Sequence, residues 1–152
     1  MQARLNAMDL APGAYAALRG VETYLRNCGL EPALLGLVTM RASQINGCAY
    51  CLEMHSREAR RRGETEQRLY LLNAWRDSAL YSERERAALA WTECLTRVAE
   101  EGAPDAAYET LRQHFSPVEI VNLSTAIGMI NLWNRLMIAI RGQYTASAPA
   151  AA

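Results

Sequence analysis

Apolar residues recur along this chain at intervals of three and four, the period of a helix that buries one face. Tyr15, Leu18, Val21 and Leu25 follow that spacing and predict an amphipathic helix from about Pro12 to Asn27, with Gly29 as its stop. A second helix is expected from about Glu31 to Asn46. Gly47 suits the left-handed conformation that closes it, and Cys48 can open the next, which continues to Arg62 before Gly63 ends it. Thr65 caps a shorter helix from Glu66 to Trp75. Ser82 and Glu85 form a capping box ahead of "RERAALAWTECLTRVAEE", read as one helix that Gly102 terminates. Asp105 can cap another short helix reaching His114. Ser116, Pro117 and Glu119 repeat the capping box, with proline at the first helical position, where its missing N–H costs nothing. The segment from Ile120 to Ile140 is apolar on nearly every face, which places it either at the centre of the fold or in a subunit interface.

No alternating strand pattern and no internal repeat is visible, so the expected architecture is all-α. The 152 residues suffice for one domain with a real core and are too few for two ordinary ones. A single domain over residues 1–152 is therefore expected, with about six to seven helices and a flexible small-residue tail over about 143–152. Sixteen basic side chains balance sixteen acidic ones, so no net field draws the chain to nucleic acid or to an anionic membrane surface. All sixteen basic residues are arginine, and the lack of lysine excludes Schiff-base catalysis and the phosphate-binding P-loop. The N-terminus lacks the apolar run of a secretory signal, and no stretch is expected to cross a bilayer, so the cytoplasm is the expected compartment. In that reducing setting Cys28, Cys48, Cys51 and Cys94 are expected as thiols at rest, and a disulfide there is more often catalytic than structural.

The chemistry concentrates in "QINGCAYCLEMHSREARRRG", where Cys48, Cys51 and His55 fall on one helical stripe at steps of three and four. A haem tether needs histidine directly after the second cysteine, and Leu52 stands there; a thioredoxin-like site needs a sheet. Structural zinc usually draws on two such cysteine pairs. Here Cys28 and Cys94 stand alone, each where a small buried apolar residue also fits, so no metal is expected, with zinc held by the pair and His55 or His114 as the alternative. A redox pair uses every part of the motif. Cys48 in the first turn faces the positive end of the helix dipole, which favours thiolate; His55 can instead take the proton from Cys51. These two arguments favour different sulfurs and leave the attacking one open. Helical neighbours at this spacing have Cα atoms roughly 5 Å apart, within disulfide range.

The segments "LLGLVTMRASQINGCAYCLEMHSREARRRGE", "SERERAALAWTECLT" and "EIVNLSTAIGMINLWNRL" resemble small alkylhydroperoxidase D-like (AhpD-like) proteins of the carboxymuconolactone decarboxylase superfamily, from about Leu34 to Arg141. The resemblance implies a helical fold assembling into trimers or hexamers, and a peroxidase that reduces organic hydroperoxides with a redox-active Cys48–Cys51 disulfide and no bound cofactor. It assigns Cys51 as the attacking thiol, Cys48 as the resolving thiol and His55 as the base. It further implies a dithiol donor such as a lipoyl-carrying protein. The superfamily's lactone decarboxylation is not expected to depend on a C-x-x-C pair and ranks last.

One departure matters. Members with the full proton relay carry a glutamate twelve residues before the first cysteine, where this chain has Gly36, and Tyr50 stands where some have a second histidine. Glu58, three residues after His55, is a substitute by helical spacing, although a solvated surface carboxylate is the plainer reading. The missing glutamate keeps alive an alternative: a redox- or metal-responsive helical module with little turnover. Asn131, Asn134 and Arg135 form a polar stripe on an otherwise apolar helix; they either hold neighbouring helices together, the favoured reading, or line the pocket beside the thiols.

Overall fold

A computed structural model describes residues 2–144; the expected tail beyond Tyr144 lies outside the described residues. Within them the chain is all-helical, with no strand. In order it forms α1 (Ala7–Leu10), α2 (Pro12–Arg26), α3 (Pro32–Asn46), α4 (Ala49–Arg61), α5 (Glu66–Leu71), a 3-10 segment (Leu72–Asp77), α6 (Glu83–Thr96), α7 (Val98–Glu101), α8 (Asp105–Arg112) and α9 (Pro117–Ile140). Two of these nine helices have only four residues, which brings the count of longer ones to seven.

The capping signals act where the sequence carries them. Both capping boxes close reciprocally: Ser82 accepts from the Glu85 N–H and Ser116 from the Glu119 N–H, while each glutamate accepts from the backbone N–H of its serine. Gly47 ends α3 at φ +67°, a conformation that costs other residues a Cβ clash.

Two expected helices differ from what the pattern implied. The helix after Thr65 tightens into a 3-10 turn at Leu72, with Ala74 outside helical geometry, so that Leu72 and Trp75 both reach the core. The helix after Ser82 breaks at Arg97 instead of running to Gly102. In addition, Asn6 caps the short α1, which apolar spacing does not reveal. Asp105 sits in the first turn of α8 and not at its cap, which is Pro104.

Helix α9 is central. It touches α2, α3, α4, α6 and α8, and buries Ile120, Leu123, Ala126, Ile127 and Ile130 against them. One apolar cluster joins Leu34 and Val38 of α3 to Trp91 of α6, Leu111 of α8 and Leu123 of α9. A second joins Leu37 to Leu69, Leu72, Trp75 and Leu89. By length and composition alone α9 is apolar enough to span a membrane, contrary to expectation. Its packing explains the composition: a helix touched from several sides needs apolar residues on several faces. Its buried polar side chains Asn122, Asn131 and Asn134 are bonded within the chain. The exposed Val118, Val121 and Leu132 complete its apolar circumference.

Candidate active site

The site begins at the turn between α3 and α4. Gly47 reverses the chain, and Cys48 follows in extended geometry as the cap of α4, its sulfur accepting the Cys51 N–H at 3.3 Å. This cap position faces the unpaired N–H groups and the positive end of the helix dipole. Cys48 and Cys51 are joined as a disulfide with Cα atoms 5.3 Å apart. Both residues are 1% exposed, in a cluster with Ala42 and Ile130, against which Tyr50, Trp133 and Met137 pack. Cys28 and Cys94 are free and half-buried. Burial pushes the Cys94 thiol up, as do the nearby carboxylates of Glu101 and Glu93. That makes it a poor nucleophile.

His55, one turn beyond Cys51, lines a cavity of about 290 Å³ between α2, α3, α4 and α9. Leu25, Leu35, Ala126, Met129 and Ile130 supply its apolar wall, and Ile130 also belongs to the cluster that encloses the cysteines. Glu22 and Arg26 from α2 and Glu58 and Arg62 from α4 supply its charges. Gly36 lies on the cavity wall too, and a Cβ built there meets no atom within 4 Å.

Glu58 is not simply a solvated surface carboxylate. Its Oε2 lies 3.8 Å from His55 Nδ1 and its Oε1 accepts from Arg62 at 2.6 Å. The imidazole holds its carboxyl below the usual range; burial opposes this, and the Arg62 charge assists.

Asn131, Asn134 and Arg135 do not reach this cavity. Asn46 Nδ2 donates to Asn131 Oδ1 at 2.9 Å and to Asn134 Oδ1 at 2.8 Å. Asn134 donates to Ser43, Asn131 to Thr96 and to the Ile127 carbonyl, and Arg135 to the Asn131 carbonyl and side chain. The network ties the end of α3, just before the cysteine turn, to α6 and α9. A buried carboxylate has a similar tying role: Glu93 of α6 accepts from Arg41 of α3 at 2.7 Å, from Trp75 at 2.9 Å and from Arg76 at 2.5 Å. Sequence reasoning missed it because these partners lie 52, 18 and 17 residues away, and no local pattern marks them. His114 lies past the end of α8, and its carbonyl accepts from Arg84.

Residues 11–93 match the carboxymuconolactone decarboxylase family. The chain belongs to that family. As an AhpD-like member of it, the protein is 37% identical over 140 residues to the uncharacterized protein YdfG of Bacillus subtilis, covering 92% of this chain and 95% of that one. It is 45% identical to a crystal structure of a protein of unknown function from Agrobacterium tumefaciens with a suggested role as the antioxidant defence protein AhpD; the TM-score is 0.93, with 96% of this chain and 100% of that one covered. The debrominase Bmp8 shares the fold at a TM-score of 0.79 and 22% identity, over 91% of this chain and 75% of that one. A shared fold alone does not choose the reaction of this member.

Proposed function

We propose that this protein is a thiol-dependent peroxidase that reduces organic hydroperoxides through Cys48 and Cys51. The observation that carries this reading is the disulfide at the start of α4, one turn before a histidine that opens onto an apolar cavity. Here His55 takes the Cys51 proton. The Cys51 thiolate attacks the terminal peroxide oxygen: a sulfur–oxygen bond forms, the oxygen–oxygen bond breaks, and the alkoxide leaves as alcohol with the proton from His55. Cys51 is then a sulfenic acid. The Cys48 sulfur attacks it, the disulfide forms and the oxygen departs as water, so the two electrons come from the two thiols. The helix N-terminus gives Cys48 a division of labour with Cys51, since a stabilised thiolate suits the resolving step and serves as a good leaving group when the disulfide is reduced. A dithiol donor such as a lipoyl-carrying protein restores the pair. We further propose a cytoplasmic trimer or hexamer without bound metal or cofactor.

The test is direct. Stopped-flow mixing of the reduced protein with cumene hydroperoxide, followed by thiol counting, is expected to show two thiols lost per chain and almost none in Cys51→Ser. Wild type that keeps both thiols overturns the proposal.

The burial of both sulfurs favours one second reading, a redox-responsive module with little turnover. Slow oxidation of the pair with no turnover on dihydrolipoamide supports that reading over the first.

A further inference from the structure

We propose that Glu58 is the positioning residue for His55, holding its Nδ1 side so that Nε2 is the nitrogen that accepts the Cys51 proton. This inference rests on the peroxidase reading and adds to it the origin of the base's tautomer and charge balance.

Glu58 is the carboxylate that, among the described residues, lies within 4 Å of a His55 nitrogen. At 3.8 Å the contact is an ion-pair distance and longer than a hydrogen bond. It therefore strengthens when the ring takes up a proton, which is the moment at which the thiolate forms. Glu58 is itself anchored, because Arg62 fixes Oε1 and leaves Oε2 to the imidazole. The other groups around His55 do not compete. From α2, Glu22 pairs with Arg19 at 3.1 Å and with Arg26 at 3.8 Å. From α3 come Gly36 and Thr39, whose hydroxyl donates to the Gly36 carbonyl, and from α9 the uncharged Met129 and Ile130. The wall at Gly36 supplies no carboxylate, and a Cβ there meets no neighbour within 4 Å.

The chemistry conserves atoms: one proton moves from Cys51 Sγ to His55 Nε2, and the resulting imidazolium lies between the thiolate and the Glu58 carboxylate. Without that carboxylate the ion pair is less populated, and more alkaline solution is needed to form the thiolate.

Two readouts test this. The first is the pH profile of thiol loss to cumene hydroperoxide. Glu58→Gln is expected to move the acid limb up by about half to one pH unit and to slow the reaction about three- to tenfold at neutral pH, with the variant converging on wild type in alkaline solution. Glu58→Asp is expected to retain part of the shift. The double variant Gly36→Glu with Glu58→Gln is expected to recover the wild-type limb. An unchanged profile, or a drop of equal size at every pH, overturns the proposal. The second readout is the nitrogen NMR spectrum of the neutral His55 ring in the chain as isolated, which does not depend on turnover: wild type is expected to hold the proton on Nδ1, Glu58→Gln is expected to shift the tautomer ratio toward Nε2, and an unchanged ratio overturns the proposal. If wild type loses no thiols to peroxide while the His55 tautomer ratio still shifts in Glu58→Gln, the peroxidase reading fails and the pairing of Glu58 with His55 stands.

Discussion

The amide network around Asn46 and the charged rim around His55 lie on either side of the same cysteine pair, yet they are built on opposite rules. In the first, Asn46, Asn131 and Asn134 bond to one another and to Ser43 and Thr96, so the polar groups of three helices satisfy each other out of water. Glu93 extends this pattern, with three donors on one buried carboxylate. In the second, Glu22, Arg26, Glu58 and Arg62 face an open cavity, His55 holds a carboxylate at ion-pair distance, and Gly36 leaves a gap. A closed network fixes position and has no capacity left for a ligand, whereas an open one keeps unspent bonds for a proton or a substrate. The polar stripe on α9 and the histidine on α4 thus do different work: one holds the turn that presents the cysteines, the other serves the chemistry.

The largest effect that tests this contrast is expected at Glu93. Removing it leaves the Arg41 guanidinium buried without its counter-charge and the Trp75 N–H without its acceptor. Glu93→Ala is expected to lose about 3–5 kcal/mol of stability by urea denaturation. A loss under about 1 kcal/mol would show that this region is no more closed than the cavity rim. Asn134→Ala comes next. Asn134 is 0% exposed, and its loss leaves Ser43 without the amide donor and Asn46 with one acceptor fewer. The expected cost is about 1–3 kcal/mol, read as a lower urea midpoint.

Much of the fold was legible because its signals are local. The boxes at Ser82 and Ser116 and the left-handed Gly47 need only neighbouring residues to act, and they place the starts of α6 and α9 and the cysteine turn within a residue or two. The break at Arg97 and the 3-10 turn at Leu72 carry no local signal of that kind, and the 3-10 segment holds Trp75 against Glu93, 18 residues away. The site divides in the same way. Cys48, Cys51 and His55 share a short helical repeat and can be found by spacing. The cavity is assembled from four helices, so Glu22, Arg26 and Gly36 meet His55 only once α2 and α3 have packed. Spacing put Glu58 near His55 but could not say whether it faced water or the cavity, and it does both, at 42% exposure.

That partial exposure sets the smallest effect and the sharpest contrast. Glu58→Gln removes the Arg62 pair and the imidazole contact, but solvent screens both, so its stability cost at neutral pH is expected to stay under about 1 kcal/mol. The sign with pH follows from the lowered Glu58 carboxyl. A depressed carboxyl contributes stability above the ordinary carboxylate range and loses it as the pH falls through its folded value, where the charge is gone from both states. Wild type and Glu58→Gln should therefore differ slightly at pH 7 and converge as the pH falls through the lowered Glu58 carboxyl, as urea midpoints followed into the acid range would show. A large gap that persists in acid would mean that Glu58 holds the fold in the manner of Glu93, and the division between closed and open clusters would fail at the residue where it matters for the chemistry.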